Sequence, residues 1–249
     1  MALRKELKQQ GDFLFKNRSY LPVIILLIGL YLYATNASTL TIIAEDQRRT
    51  FELVCFLVCL AGLFIRVVSI GFTADNTSGR NTSVGQLADT INQTGPYSVM
   101  RHPLYLGNFF MWLGLAAFTQ NTWFVIAFVL FYTLYYERIM YAEEEFLIGK
   151  YGDDYLRYSE KTPAFIPKFS RWKKPSLSFS WTKIMRQEKA GIVNLFLVII
   201  LFRATREYAA EGNFSQVEEY WLYAFIASVV WYIIVKVLQK TTRLLKNDR

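Results

Sequence analysis

The chain has 249 residues, of which 53% are hydrophobic and only 19% are charged, and its net charge is +8. A soluble domain of this length carries about a quarter charged residues and no long apolar runs, so the composition indicates an integral membrane protein. The single histidine excludes zinc and di-iron sites built from several imidazoles, and we predict no metal site.

Six largely apolar blocks follow one another along the chain. They are Tyr20–Ala37, Leu53–Phe72, Leu104–Phe118, Trp123–Tyr136, Ala190–Phe202 and Trp221–Leu238. A helix of about 20 apolar residues spans a bilayer, because it satisfies its own backbone hydrogen bonds in lipid. The first, second and last blocks reach this length, whereas the others need flanking aromatic or basic residues at the interface. The pattern predicts an all-α integral membrane protein with about six transmembrane helices.

The charges alternate between the segments that connect these blocks. Basic residues are in excess in residues 1–18, 137–189 and 236–249, and acidic residues are in excess in residues 35–52 and 203–219. The positive-inside rule then predicts that both termini are cytoplasmic, in a bacterial inner membrane or an endoplasmic reticulum depending on the source. The basic excess predicts contact with anionic lipid headgroups and no nucleic-acid partner.

The polar connections have different predicted roles. Thr73–Pro103 and Arg138–Glu188 are the long connections on the predicted cytoplasmic side, where chemistry is usually found. The minimal connection Thr119–Thr122 predicts that the third and fourth blocks form an antiparallel hairpin. Within the second long connection we expect a short amphipathic helix at Asp153–Glu160 and an interfacial segment at Lys168–Arg186.

Two motifs that carry chemistry should meet on the cytoplasmic side. The first runs from Gly95 to Gly107 and enters a hydrophobic helix at Pro103, so free N–H groups beside Arg101 and His102 would form an anion-binding corner. The second is the run of three glutamates, 143–145, at the inner end of the fourth block. Because a short hairpin joins the two blocks, we expect both motifs to lie close together.

These motifs resemble a known family. Arg-His-Pro-x-Tyr-x-Gly follows Gly-Pro-Tyr, and then come Glu-Glu-x-x-Leu and Tyr-Gly-x-x-Tyr-x-x-Tyr, closing on Pro-x-x-Ile-Pro. In this order they resemble the isoprenylcysteine carboxyl methyltransferases and the wider phospholipid methyltransferase superfamily of membranes. The resemblance covers about Leu53–Phe169. It implies a methyltransferase core at 51–169. The apolar and charge patterns add an N-terminal cytoplasmic segment with a signal-anchor helix at 1–50, and an interfacial segment with two transmembrane helices at 170–249.

The resemblance implies S-adenosylmethionine as cofactor, taken from the cytoplasm. Arg101 and His102 suit its carboxylate, Glu143 or Glu144 suits its ammonium, and aromatic rings suit its adenine and sulfonium. The residues expected to line the cofactor are Tyr97, Arg101, His102, Pro103, Leu104, Tyr105, Glu143 and Glu144. Spacing leaves open which glutamate contacts the cofactor.

The acceptor is less defined. Many relatives have an arginine four positions before the cofactor glutamate, but Ile139 and Met140 stand there, and Arg138 misses the pattern by one residue. An anionic acceptor needs no general base, so we expect O-methylation of a phosphate or carboxylate head on a membrane lipid or lipidated acceptor, and favour N-methylation of a lipid amine less. No dedicated catalytic residue is expected, and the candidates for positioning or binding the acceptor are Arg66, Arg80, Asn81 and Arg138.

Other interpretations stay open at this point. The chain could be a non-catalytic membrane carrier or scaffold that retains the fold, and the glutamates could be a solvated helix face. Arg66 could simply extend toward the interface. Cys55 and Cys59 are four residues apart in an apolar block and are expected to be packing residues. The oligomeric state is not predicted.

Overall fold

The computed structural model describes residues 2–18, 20–36, 45–77, 81–82, 85–86, 88–212, 219–242 and 245, and most of these are helical. The helices are α1 (Leu3–Lys16), α2 (Leu21–Asn36), α3 (Glu45–Gly71), α4 (Pro96–Val99), α5 (Pro103–Phe118), α6 (Thr122–Tyr151), α7 (Asp153–Lys161), α8 (Trp181–Glu211) and α9 (Glu219–Thr241). A single 3₁₀ turn at Phe169–Arg171 and a two-residue antiparallel pair, β1 (Asn81–Thr82) with β2 (Gly85–Gln86), are the other regular elements in these ranges.

The helices confirm an all-helical membrane protein. Among the described residues, Gln47–Gly71 of α3, all of α6 and all of α9 are long and apolar enough to cross a membrane. Helices α2 and α5 are apolar but have 16 residues each, about 24 Å, which is shorter than the hydrocarbon core of a bilayer. Each of the six predicted blocks lies in a helix over all or nearly all of its described residues, whereas six membrane crossings remain a prediction.

Helices α3 and α5 pack closely because glycines line their interface. A Cβ at Gly62 would lie 2.6 Å from the Met111 nitrogen, and one at Gly114 would lie 2.6 Å from the Cys55 carbonyl oxygen. Cys55 and Cys59 are buried free thiols in this interface, as predicted. The close contact places the C-terminal end of α3 beside the start of α5.

The hairpin between α5 and α6 is confirmed. Helix α5 ends at Phe118 and α6 begins at Thr122, with three residues between them. The side-chain oxygen of Asn121 accepts a hydrogen bond from the Phe124 N–H at 3.0 Å, which caps α6. The two helices therefore run antiparallel, with the first residues of α5 beside the last turns of α6.

Helix α8 begins earlier than the sequence pattern indicates. It starts at Trp181, nine residues before the apolar block, and Ser180 caps it by accepting from the Lys183 N–H at 3.2 Å. The buried Lys183 ammonium donates to the Thr73 and Ala74 carbonyls at 2.8 and 2.7 Å. These carbonyls follow the C-terminus of α3, where a cation is favoured, so the contact connects α8 to the inner end of α3.

The polar N-terminus also folds. Residues 3–16 form α1, which packs along α6, and its Gly11 and Phe15 are buried. A Cβ at Gly11 would lie 2.7 Å from the Ala142 Cβ, so the helices touch at this glycine. The sequence predicts only a polar segment before the anchor helix here. The segment is amphipathic, but the sequence does not show which helix its apolar face contacts.

Candidate active site

The first motif is held by the segment that follows α7. The Arg101 N–H donates to the Pro163 carbonyl at 2.9 Å, and the His102 N–H donates to the Ala164 carbonyl at 3.1 Å. Both amides therefore already have partners within the protein. The backbone of Pro163 and Ala164 lies against these two residues, and the expected anion corner at the free N–H groups of the helix start beside them stays a prediction.

Arg101 joins the first motif to the second. Its Nε and Nη2 donate to the two carboxylate oxygens of Glu144 at 2.8 and 3.0 Å, and its Nη1 donates to the Ser159 and Thr162 carbonyls at 2.9 and 2.5 Å. His102 Nε2 lies 2.8 Å from Glu144 Oε1, the oxygen that also accepts from Arg101 Nε. Every nitrogen of this guanidinium is thus occupied. Arg101 and Glu144 position α4, α6 and α7 against each other.

Glu143 has a different environment from its neighbour. Its Oε2 accepts a hydrogen bond from the Tyr105 hydroxyl at 2.7 Å and lies 3.7 Å from His102 Nδ1. The rings of His102 and Tyr105 stack at 5.5 Å between centroids. Among the described residues none donates to the second oxygen of Glu143. That oxygen is therefore available to a cationic ligand.

A narrow cleft of about 70 Å³ lies over this cluster, and part of it is open to solvent. It is lined by Phe15, Thr77, Ala88, Thr90, Ile91, Asn92, Tyr97, Arg101, His102, Leu104, Tyr105, Glu143, Phe146, Leu147, Tyr155 and Tyr158. Six of the eight residues predicted for the cofactor are in this wall. The other two, Pro103 and Glu144, are the immediate neighbours of residues in it.

The cleft contains the predicted Tyr97 and two further phenols, Tyr155 and Tyr158, that were not predicted as site residues. Burial raises the pKa of Tyr97, Tyr155 and Tyr158, and the negative charges of Glu143 on Tyr97 and Glu144 on Tyr155 act in the same direction. Tyr158 donates to the Tyr97 carbonyl at 2.7 Å. The buried Tyr155 hydroxyl has no hydrogen-bond partner within the described residues. The spacing in Tyr-Gly-x-x-Tyr-x-x-Tyr was the available signal for both Tyr155 and Tyr158.

Arg66 of α3 is paired with side chains of α8 and α5. Its guanidinium donates to both Glu188 oxygens, from Nε at 3.1 Å and from Nη2 at 2.5 Å, and to Asn108 Oδ1 at 2.6 Å. Its charge is close enough to Tyr97 to oppose the rise in the pKa of that phenol. Glu188 is almost fully buried, and no sequence pattern had indicated it. It lies in α8, and only packing of α8 on α3 brings it to Arg66.

The other predicted acceptor residues are not in this cluster. Arg138 contacts Glu137 at 2.7 Å and Gln10 of α1 at 3.3 Å, on the face of α6 that packs on α1. Arg80 lies outside the described residues. The backbone of Asn81 is in β1, and its side chain is outside what the structure describes.

Comparison with known proteins agrees with these motifs. Residues 51–154 match the phospholipid methyltransferase family, a stretch that contains the Arg-His-Pro motif and the three glutamates. This segment is similar to proteins of the phospholipid and isoprenylcysteine methyltransferase superfamily. The superfamily segment ends before the Pro163–Pro167 motif, so the core of 51–169 remains a prediction.

Curated relatives match over the same part of the chain. The cobalt-zinc-cadmium resistance protein CzcN of Cupriavidus metallidurans is 34% identical over 98 residues, 39% of this chain and 44% of that protein. Protein-S-isoprenylcysteine O-methyltransferase of Schizosaccharomyces pombe is 35% identical over 74 residues, 29% of this chain and 31% of the enzyme. The Saccharomyces cerevisiae enzyme of that name is 28% identical over 114 residues, 45% and 47% of the two chains.

The chain thus spans less than half the length of these curated relatives. No solved structure shows significant similarity to it.

Proposed function

We propose that the protein is an S-adenosylmethionine-dependent methyltransferase whose acceptor is the anionic head of a membrane lipid or a lipidated molecule. One observation carries the proposal: the carboxylate of Glu143 has one oxygen held by Tyr105 and one available, in a cleft formed by the superfamily motifs. The chain's apolar helices supply the membrane location that such an acceptor requires. A cytoplasmic cleft and cytoplasmic termini are part of the proposal.

The residues of the cleft fit this cofactor. Glu143 would hold the ammonium, and the buried Tyr155 hydroxyl would bond one of the cofactor's polar atoms. Tyr97 and Tyr105 would pack on its adenine or sulfonium. Leu104 lines the cleft in the first turn of α5, where a helix has backbone N–H groups without intrahelical partners, and would approach the carboxylate.

Arg101 and Glu144 would not contact the cofactor and would instead position the residues that do. Because Arg101 and Glu144 form an ion pair with each other, neither is available to bind the carboxylate or the ammonium of the cofactor. They would instead fix His102 and the start of α5 relative to α6. The proposal therefore changes the expected role of Arg101 from contact to positioning, and it prefers Glu143 over Glu144 as the residue that contacts the cofactor.

Methyl transfer to an anionic acceptor would need no acid or base from the side chains. S-adenosylmethionine, when bound, supplies a methyl group on a positively charged sulfur. An acceptor oxygen that is already anionic would take the methyl group with its own electron pair and would leave the S–CH₃ pair on sulfur, so these side chains would not have to move a proton. Tyr97, Tyr105 and the aliphatic wall would orient the two partners and exclude water, which is where most of the acceleration arises in such a displacement.

The acceptor head would enter from the bilayer, beside Arg66. The ion pair with Glu188 neutralises this arginine, so an anionic head would be bound through hydrogen bonds from Arg66 and Asn108 more than through net charge. Arg138, Arg80 and Asn81 remain candidates from the sequence. The structure places Arg138 on the face of α6 that contacts α1.

Calorimetric binding of S-adenosylmethionine to the purified full chain in detergent tests the proposal. We expect saturable binding by the wild type and a loss of at least about tenfold in affinity for Glu143→Gln, because a charge-assisted contact is worth more than a neutral one. Glu145→Gln is the matched control, since Glu145 pairs with Arg4 on the α1 side, and it should bind like the wild type. A folded wild type that does not bind would favour the carrier or scaffold instead.

A further inference from the structure

The segment between α7 and α8 runs along the start of α5. Residues 163–181, here called the strap, connect the end of α7 to the first residue of α8. Near its start the Phe165 ring lies 6.2 Å from the Phe109 ring of α5, between centroids. Near its end the Phe179 ring lies against Gly71, the last residue of α3. The strap is therefore anchored at both ends to apolar helices.

The backbone of the strap is hydrogen-bonded to the motif that leads into α5. The N–H groups of residues 101 and 102 donate to carbonyls at the start of the strap. Further along, the Lys168 N–H donates to the Val99 carbonyl at 2.9 Å. The Gly95 N–H donates to the Lys173 carbonyl, also at 2.9 Å. A contact that holds the strap in place therefore also holds this motif, which contributes to the wall of the cofactor cleft.

The strap exposes large apolar side chains. Ile166 is 78% exposed, Phe169 73%, Trp172 52% and Trp181 66%. Aromatic rings of this kind are enriched at the headgroup level of a membrane, where they join helices that enter the bilayer to polar segments outside it. The anchoring of the strap to α3 and α5 gives it that location.

The strap is also basic and has no acidic residue. Its basic residues are Lys168, Arg171, Lys173 and Lys174, and no Asp or Glu occurs anywhere between Lys161 and Glu188. Within the described part of the chain, none of these four side chains forms an ion pair or a hydrogen bond. Basic side chains interleaved with exposed aromatic rings are typical of a segment that contacts anionic lipid.

Acidic side chains of the neighbouring elements do not cancel this charge. Helices α4 and α5 contain none. Four carboxylates are each in an ion pair with an arginine: Asp75, Glu144, Asp154 and Glu188. The others near the strap are Asp89, Glu143, Asp153 and Glu160. Outside those pairs, Lys150 and Lys161 add to the four basic residues of the strap, so positive charge remains in excess.

We propose that the strap binds the surface of an anionic membrane and that this contact stabilises the motif at Gly95–His102 for cofactor binding. The exposed rings enter the headgroup region, and the lysines contact anionic headgroups. A zwitterionic surface would accept the rings but offers no net charge to the lysines. A second copy of the chain would bring the same basic strap, and like charges would repel. The effect on the cofactor rests on the proposed function, whereas the membrane contact does not.

The experiment compares the full chain, one copy per disc, in two kinds of nanodisc. One kind contains phosphatidylcholine alone, and in the other phosphatidylglycerol with the same acyl chains replaces part of it. The readouts are hydrogen exchange of the amides in residues 95–102 and 163–176, and calorimetric affinity for S-adenosylmethionine. We expect phosphatidylglycerol to slow exchange in both segments about fivefold and to raise the affinity by a similar factor.

The variant Lys168→Gln/Lys174→Gln should remove the difference between the two lipids. Both side chains are exposed and outside the cleft, so its affinity in phosphatidylcholine should equal that of the wild type. Phe169→Ser, at an exposed ring, should reduce both effects of phosphatidylglycerol.

The matched control is Lys236→Gln/Lys240→Gln, which removes the same charge from the C-terminal end of α9. This end is near the start of α8, because Arg186 Nη1 donates to the Leu245 carbonyl at 3.3 Å. The control should respond to phosphatidylglycerol like the wild type. A loss of response as large as that of the strap variant would mean general attraction to basic surfaces and would overturn the proposal.

Equal exchange and equal affinity in the two lipids would also overturn it. So would slower exchange that requires two copies per disc and not phosphatidylglycerol, because the strap would then serve pairing of the chain. A wild type that binds no S-adenosylmethionine in either lipid would refute the proposed function. The exchange comparison would still confirm or refute the membrane contact of the strap.

Discussion

Arg101 and Glu144 form a two-pronged ion pair at 2.8 and 3.0 Å, across 43 positions of sequence and a helical hairpin. The pair joins the loop before α5 to the inner end of α6, and the same guanidinium holds the carbonyls of Ser159 and Thr162 at the end of α7. The floor of the candidate site is therefore a single hydrogen-bonded unit made from three separate segments.

Replacing Arg101 by lysine should loosen that unit. An ammonium cannot reproduce the planar, two-pronged contact with Glu144 and also reach both carbonyls. We expect Arg101→Lys to lower the unfolding midpoint and to weaken S-adenosylmethionine binding at least tenfold, although the charge is kept. Arg157→Lys, at an exposed ion pair with Asp154, is the control and should change neither measurement. Wild-type affinity in Arg101→Lys would contradict a positioning role.

Tyr155→Phe separates cofactor binding from stability. The Tyr155 hydroxyl is buried and has no partner in the described part of the chain, so its removal should leave the free energy of unfolding unchanged or slightly higher. The affinity for S-adenosylmethionine should fall about fivefold if this hydroxyl bonds the cofactor. Tyr158→Phe gives the opposite pattern, because it loses the hydrogen bond to the Tyr97 carbonyl and about 1 kcal/mol of stability. Calorimetry and thermal unfolding of both variants distinguish these roles.

We expect the stability of the protein to depend on Arg66 and Glu188 being either both present or both replaced. Removing one partner leaves a buried charge uncompensated, which costs about 3–5 kcal/mol, so Arg66→Met and Glu188→Leu should each destabilise the protein strongly. The double variant should recover most of that loss in denaturant unfolding. Recovery of stability without recovery of methyl transfer would show that Arg66 or Glu188 also serves the acceptor. Full recovery of both would make the pair structural only.

Substitution by alanine should have opposite effects on the free energy of unfolding at two glycines. Gly114 touches Cys55 and Cys59 of α3, so Gly114→Ala should cost about 1–3 kcal/mol as the helices are forced apart. Gly149 is inside α6 with no atom within 4 Å of an added Cβ, so Gly149→Ala should stabilise by about 0.5–1 kcal/mol. Urea or thermal unfolding of the two variants measures the difference. A similar effect of both would mean that α3 and α5 are not in close contact.

Much of the fold could be predicted from the sequence because apolar length and charge are local properties. The six apolar blocks are in helices, the Thr119–Thr122 connection is a hairpin, and Asp153–Glu160 lies in α7. The two motifs meet because a short hairpin between long helices allows only one arrangement. The family follows from the spacing of those motifs, and the comparison with known proteins confirms it.

Only the tertiary structure shows which charged or polar side chain contacts which partner. Glu143 and Glu144 are adjacent in the same helix, and their different partners depend on the about 100° turn between successive residues and on where Arg101 arrives. Glu188 and Trp221 carry no motif at all, and their surroundings exist because α8 and α9 pack on α3. Composition shows which segments are apolar enough to enter a membrane, and residue spacing shows where each motif lies along the chain. Long-range packing determines which of its charges are already paired and which remain available for a ligand.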